Sequence, residues 1–336
     1  MILIMSDEND ASTHQVIDWL LYLKIPYFRI NETCSVYVDY LTTKNEKMDF
    51  KITITSPYFA TSFSIYANEI KGYWYRRGFF ILQMPKIPEV NLTELSSIEE
   101  NFNKYIVEEN MKIVDFFHKY FSTIPHLGCF HDNYTINKVY NLYQAQEVKI
   151  AIPDFLITRN KSDIELFMEK YTCCITKGID QNGFKIVNKM SLGNLAKLIT
   201  ASELSLIPEQ FNYSFIQQYI DKKADIRVFF IDNKIYSTAI FSQNDEKTKI
   251  DFRNYNDDKP NRIVPFKLPD DEEKKLKKLM KTLNYQTGSI DYVLDKNNDL
   301  YFLEINPIGQ YGFISNQCNL FLDRVICDYF KIKCDG

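Results

Sequence analysis

The chain opens on a continuous apolar run, Ile2 to Met5, short enough for a buried strand; after a polar loop, Val16, Leu20 and Leu23 recur at helical spacing. Strand-like runs come next at Tyr27 to Ile30, Phe50 to Thr55 and Tyr73 to Arg76. Ile98, Phe102, Tyr105, Ile113, Phe117 and Tyr120 then fall on one helical face, which predicts a long helix ending before Pro125. Beyond Asn133 the pattern changes to a helix over Asn137 to Val148, a break at Pro153 and a strand at Phe155 to Ile157, so a second unit is expected from about residue 126. Strands at Cys173 to Lys177 and Phe184 to Asn188 flank the turn-rich segment Gly178 to Gly183, and a short helix is expected from Ser191. Further strands are predicted at Tyr213 to Tyr219, Asp225 to Ile231, Lys234 to Phe241, Ser289 to Leu294 and Leu300 to Asn306. Among them a helix over Asp270 to Leu283 sets Leu276, Leu279, Met280 and Leu283 on one face and its lysines on the solvated remainder. Interleaved strands and helices of this kind predict an α/β (α+β) protein.

Composition narrows the class. At 336 residues, 45% hydrophobic and 25% charged, the chain can bury a large core and needs no covalent staple. Forty basic against 44 acidic residues give a net charge of −4, well mixed along the chain, which argues against nucleic acid as a partner. Seven cysteines form no CxxC pair and read as reduced thiols of a cytoplasmic protein. Neither a signal-peptide pattern nor 18 consecutive apolar residues occurs, so no membrane partner is expected. The four histidines lack metal-ligand spacing, and GxSxG, HExxH and GxGxxG are absent. Gly178 and Gly183 stand at P-loop spacing, but Phe184 replaces the lysine that a P-loop needs.

The informative stretch is SIDYVLDKNNDLYFLEINP, residues 289 to 307, two alternating strands around a polar turn at Asn297 and Asn298. With a two-residue turn, Asp291 lies directly opposite Glu304, and Asn306 shares the face of Glu304. Like charges so placed cost a hairpin about 0.2–1 kcal/mol unless something neutralises them. A divalent cation would do so, since magnesium takes carboxylate and amide oxygens together with phosphate. The competing reading is an exposed hairpin whose charges face water.

Upstream, FIQQYIDKKADIRVFF (215 to 230) reads strand, turn, strand, with Asp225 and Arg227 on one face of an otherwise apolar run. Two readings are open: a ligand with ribose hydroxyls and phosphate, or a plain Asp–Arg contact. Lys177, ending the apolar run CCIT, is another lone cation where the chain turns, with an ordinary strand-end lysine as the competing reading.

Over its whole length the chain resembles the ATP-grasp peptide maturases of grasp-with-spasm systems, relatives of the microviridin-type graspetide ligases. The resemblance rests on YWYRRGFF, NKVYNLYQAQEVKIAIPDFLIT, FIQQYI followed by DIRVFF, AIFSQNDEKTKIDFRNYN, NRIVPFKLP, TGSIDYV and FLEINPIGQYG. It implies an ATP-grasp fold, with an N-terminal pre-ATP-grasp domain over 1–125, a central subdomain over 126–200 and a C-terminal subdomain over 201–336, the last two clamping ATP. Residue by residue, it puts Lys138 and Lys177 on the nucleotide phosphates, and Gln218, Tyr219 and Ile220 at the adenine through their backbone. Asp225 is then implied at the ribose, Arg227 and Arg253 near the γ-phosphate and the nascent acyl phosphate, and Asp291, Glu304 and Asn306 on Mg²⁺. Gln218 stands where most such enzymes carry Glu, and Gly183 with its neighbours matches the phosphate-covering loop only loosely.

The activity so implied is ATP-dependent activation of Asp or Glu side chains of a ribosomally made precursor peptide, leader plus core, as acyl phosphates. Ser or Thr hydroxyls or Lys amines of the same peptide then close ester or amide rings. A homodimer is implied as well. The adjacent Arg76 and Arg77 would suit the carboxylates of such a peptide, or else make surface or interdomain salt bridges, with Arg76 alternatively a structural cation–π partner on its aromatic strand. Three other activities compete: addition of amino acids to a protein terminus, non-catalytic peptide binding on a grasp scaffold, and a small-molecule kinase.

Overall fold

A computed structural model describes residues 1–83, 96–171, 173–180, 184–185, 191–192 and 195–334. Contacts divide the chain into Met1–Tyr134 with Leu322–Gly336, and Thr135–Phe321. In the first unit, the apolar runs at Ile2–Met5, Tyr27–Ile30 and Gly72–Tyr75 form parallel strands, with Ile2–Met5 in the middle and His126–Leu127 added beyond Gly72–Tyr75. Asp10 caps the helix Ala11–Tyr22 through the Thr13 N–H, and Val16 and Leu20 are its buried face. The C-terminal helix Leu322–Cys334 packs against that helix, and Gly72 makes room for it: a Cβ there would lie 2.9 Å from both Phe330 and Cys334. The helix Ser96–Phe121 runs as the spacing predicts, and Phe117 and Phe121 join Phe50, Tyr73 and Phe80 in a buried aromatic core.

A three-stranded antiparallel sheet, Ser35–Lys44, Lys47–Thr55 and Phe63–Tyr66, exceeds the sequence reading, which contains only its middle strand. Its first hairpin turns through Asn45 and Glu46, both at positive φ.

The second unit holds two antiparallel sheets. One is ordered Lys197–Ile199, Cys174–Lys177, Gln210–Gln218, Phe155–Asn160. The other is ordered Arg262–Phe266, Lys234–Phe241, Lys222–Ile231, Thr287–Asp295, Leu300–Asn306. One face of the five-stranded sheet supplies Ile226, Val228, Ile290, Tyr292, Phe302 and Ile305 to a core shared with Leu142 and Ala145 of the helix Lys138–Glu147, and with Leu276, Leu279 and Met280 of the helix Asp270–Thr282. The lysine-rich side of the latter helix is its solvated side, as its periodicity predicts. The short helix expected from Ser191 is not found: Ser191–Leu192 is a strand paired antiparallel with Phe184–Lys185. Gly183 and residues 186–188 of the expected strand lie outside the described residues. Among the described residues no helix is long and apolar enough to cross a membrane.

Candidate active site

Two irregularities in the five-stranded sheet decide which side chains leave the core face. Near the 297–298 turn, Leu294 pairs with Leu300 and Tyr292 with Phe302, so three residues, not two, separate the strands there. The register then slips by one between Tyr292 and Asp291, and Asp291 does stand opposite Glu304. Strict alternation would have put Glu304 on the core face with Phe302; the extra residue, Leu303, turns Glu304 and Asn306 to the opposite side. A second slip, between Lys222 and Ala224, occurs on the neighbouring strand.

The side so built faces a cavity in the second unit. Gln217, Gln218, Tyr219 and Ile220 line it, with Lys177, Lys222, Asp225, Asp251, Arg253, Asp291, Leu303 and Glu304. The cross-strand carboxylates are not left to repel one another. Arg227, opposite Asp291 in register, donates through Nη1 to both Asp291 oxygens at 2.6 and 2.8 Å, and through Nη2 to the Gln310 carbonyl at 2.8 Å. Glu304 receives Lys138 Nζ at 3.1 Å, Arg253 Nη1 at 3.5 Å and Lys177 Nζ at 4.0 Å. Burial opposes ionisation of Glu304, but these cations outweigh it and bring its carboxyl down to about 2. Burial acts with the neighbouring cations on Lys177, whose ammonium falls to about 8 despite Glu304. Lys138 also donates to the Gly178 carbonyl at 3.0 Å, joining the helix Lys138–Glu147 to the end of the strand that carries Lys177.

Asp225 and Arg227 make no pair with each other. Asp225 instead accepts from Lys222 at 2.6 Å and Ser242 at 2.5 Å, and burial raises its pKa although Lys222 and Ser242 oppose the rise. Asn306 Oδ1 accepts the Ile308 N–H at 3.1 Å. Among the described residues no group of three His, Cys, Asp or Glu is placed to hold a metal ion.

At the other wall, the Gln218 and Tyr219 N–H groups donate to the Asp154 and Cys173 carbonyls, and the Gln218 side chain accepts the Asp154 N–H at 3.4 Å. The side chain that faces the cavity without a partner is that of Gln217: it is 0% exposed, and neither amide atom has a hydrogen-bond partner among the described residues. Asp251 is another residue that the patterning does not single out. It accepts from Arg253 N, Nε and Nη2 at 2.7–3.0 Å and from the Ala196 N–H at 3.0 Å, so it fixes the guanidinium that reaches Glu304. The only signal for it in the sequence is its position two residues before Arg253.

Arg76 and Arg77 belong to the first unit. Arg76 is 4% exposed, 3.5 Å from Asp10 of the same unit and 5.9 Å from the centre of the Trp74 ring, so its ion pair is neither a surface nor an interdomain one. Burial of Asp10 opposes its ionisation, yet Arg76 and the Thr13 N–H hold the carboxyl below its ordinary range. Arg77 is half-buried.

The family model of the RimK-like ATP-grasp domain matches residues 136–330, the stretch that builds this cavity. The chain belongs to that family. No curated protein matches it. Among solved structures, this RimK-like ATP-grasp chain is similar to a RiPP-associated ATP-grasp ligase of Chryseobacterium gregarium in complex with ADP and a leader and core peptide. The identity there is 21%, the TM-score 0.75, and the match covers 99% of this chain and 96% of the other. It is also similar to the macrocyclase MdnC of Microcystis aeruginosa MRC bound with precursor peptide MdnA (22% identity, TM-score 0.73, 100% and 99% covered). The macrocyclase MdnB of the same organism gives 16% identity and a TM-score of 0.68, with 98% of each chain covered. At these identities the likeness is one of fold, and it extends over the whole chain, the ATP-grasp fold included.

Proposed function

We propose that the protein is an ATP-dependent ligase that activates Asp or Glu side chains of a precursor peptide and closes them onto Ser, Thr or Lys side chains of that peptide. The observation that carries this reading is the ring of Lys138, Lys177, Arg227 and Arg253 around the Asp291–Glu304 pair, whose carboxylates line one cavity with Lys177, Arg253 and the unpartnered Gln217. With Asp251 on Arg253, four cations meet three carboxylates, an excess of positive charge suited to a polyphosphate. When phosphates enter, the lysines, Arg253 and Arg227 transfer to them, and Glu304 and Asp291 become free for a hard cation. Asp291, Glu304 and Asn306 supply oxygens of the type magnesium takes, so the donor set fits Mg²⁺; when bound, the ion supplies charge neutralisation on the phosphates. The Gln218 and Tyr219 N–H groups are already committed, so base reading falls to their carbonyls and the Ile220 N–H, with the amide of Gln217 beside them.

In the reaction a substrate carboxylate oxygen attacks the γ-phosphorus of ATP, ADP leaves, and the acyl phosphate forms. A hydroxyl or amine then attacks the acyl carbon, loses its proton, and phosphate leaves. Lys177, Arg227 and Arg253 hold the charge that develops on the transferred group, and Asp251 keeps Arg253 oriented. That two of the structural neighbours named above hold a peptide, a leader and core peptide with ADP in one and a precursor peptide in the other, supports a peptide as substrate here. Magnesium, a homodimeric assembly and a cytoplasmic location belong to the same proposal.

Intact-mass spectrometry of a candidate precursor, incubated with the protein, ATP and Mg²⁺, tests it. Loss of one water per ring, dependent on ATP and abolished by Glu304→Ala or Arg253→Ala, is the expected result. A mass gain would move the assignment to phosphorylation or amino-acid addition, and an unchanged, tightly bound peptide to a recognition module.

A further inference from the structure

Lys222 is the charged group of the cavity that the reading above leaves without a task. Along the strand Lys222–Ile231, alternation gives Ala224, Ile226 and Val228 to the core, and it would give Lys222 to the core with them. The register slip prevents this: Lys222 stands opposite Asp295 while Ala224 stands opposite Leu294, and the extra residue, Lys223, turns Lys222 to the side of Asp225. Lys222 as a whole is 4% exposed yet lines the cavity. It donates to Asp225 Oδ1 at 2.6 Å and to the Ile250 carbonyl at 3.2 Å. An ammonium has three N–H donors, and these contacts take two; each Asp225 oxygen has two lone pairs, and Lys222 and Ser242 take one apiece.

The strand thus presents one spare donor beside spare carboxylate acceptors, within a cavity whose other wall holds Gln217. A vicinal diol is the complement of that pair, because each of its hydroxyls both donates and accepts. We propose that Lys222 reads the ribose of the nucleotide, donating to a 2′- or 3′-oxygen while Asp225 accepts from the neighbouring hydroxyl. This rests on the nucleotide occupying the cavity as proposed above. A bulge that served only to bury an ion pair would gain little, since buried pairs of this kind are commonly no more stable than apolar replacements. A bulge beside a ligand cavity aims a side chain.

Equilibrium binding of ATP and of 2′,3′-dideoxy-ATP, each with Mg²⁺, to the full chain separates the possibilities. The wild type should hold ATP about tenfold more tightly than the dideoxy nucleotide, and Lys222→Met should weaken ATP to within about twofold of it while leaving dideoxy-ATP affinity near wild type. Since Met leaves the Asp225 carboxylate buried without its cation, Lys222→Gln is the second variant. It keeps one N–H donor and should retain about threefold discrimination. Equal loss for both nucleotides in the variants, or discrimination that survives the loss of Lys222, makes Lys222 a structural cation and overturns the inference. A wild type that binds ATP without discriminating also overturns it but leaves the nucleotide reading standing; a wild type that binds neither overturns both.

Discussion

An amide buried with no partner costs a folded chain about 1–3 kcal/mol, and Gln217 carries that cost on both of its polar atoms. Gln217→Leu should therefore raise the melting temperature of the free protein while weakening ATP by about tenfold, since the lost partner is one the base would have supplied. Thermal scans with and without nucleotide measure both effects, and a lowered melting temperature together with unchanged ATP affinity would make Gln217 a packing residue. Lys177 gives a second test at this scale, with a definite sign. Burial lowers its pKa to about 8 from 10.5, so below pH 8 the ammonium is charged and above it largely neutral. Phosphate favours the charged form and raises the pKa in the complex, so ATP binding at pH 9 should take up close to one proton, and at pH 7 almost none. Calorimetry in two buffers of different ionisation enthalpy reads the proton count directly. Stability follows the same group: the folded chain holds fewer protons than the unfolded chain between pH 8 and 10.5, so this contribution to stability rises with pH across that window. Glu304 works at the opposite end, its contribution being lost as pH falls from 4.5 through about 2.

At the scale of elements, the hairpin over residues 287–306 shows how far patterning reaches. The pairing of Asp291 with Glu304 was legible, but it comes about through two departures that cancel, a three-residue turn and the extra Leu303, where a regular two-residue turn was expected. Alternation reports a face only while the ladder is regular, which is why the orientation of Lys222 and the exclusion of Glu304 from the core were not legible. The strand Ser35–Lys44 escaped for a different reason: much of DYLTTK is exposed, so no apolar alternation marks it. Buried strands and helices such as Ile2–Met5, Lys222–Ile231 and Asp270–Thr282, by contrast, carry their period in the sequence. The loop after Leu300–Asn306 offers a test of how elements hold the site. A Cβ on Gly309 would lie 2.3 Å from Ser289 Cβ and 3.0 Å from the Asn306 carbonyl oxygen, and the next residue, Gln310, accepts from both Arg227 and Ser289. Gly309→Ala should cost about 1–3 kcal/mol of stability and, by displacing the Gln310 carbonyl, lower kcat more than it raises KM for ATP. Urea unfolding and steady-state kinetics on the same preparation check it, and unchanged kcat would separate the loop from the placement of Arg227.

Across the whole chain, a net charge of −4 conceals a local excess: Lys138, Lys177, Lys222, Arg227 and Arg253 meet Asp225, Asp251, Asp291 and Glu304 in the second unit. Those groups come from distant parts of one contiguous unit, Thr135–Phe321, whereas the last helix, Leu322–Cys334, belongs to the first unit and closes on the helix Ala11–Tyr22. Nothing in the amphipathic period of that helix names its partner, because an apolar stripe specifies burial and not address. One cut can therefore remove part of the first unit and leave the second unit's chain whole. Ending the chain at Phe321 removes buried Leu322, Ile326, Cys327 and Phe330 from the first unit, which at about 1.5–3 kcal/mol for each large side chain approaches the whole stability of a domain. Hydrogen exchange should then show the strands Ile2–Met5 and Gly72–Tyr75 losing protection, while the strands Lys222–Ile231 and Thr287–Asp295 keep theirs and ATP is still bound. Equal loss of protection in both sets of strands would mean that the two units fold as one cooperative block, with the nucleotide site dependent on the first unit for its stability.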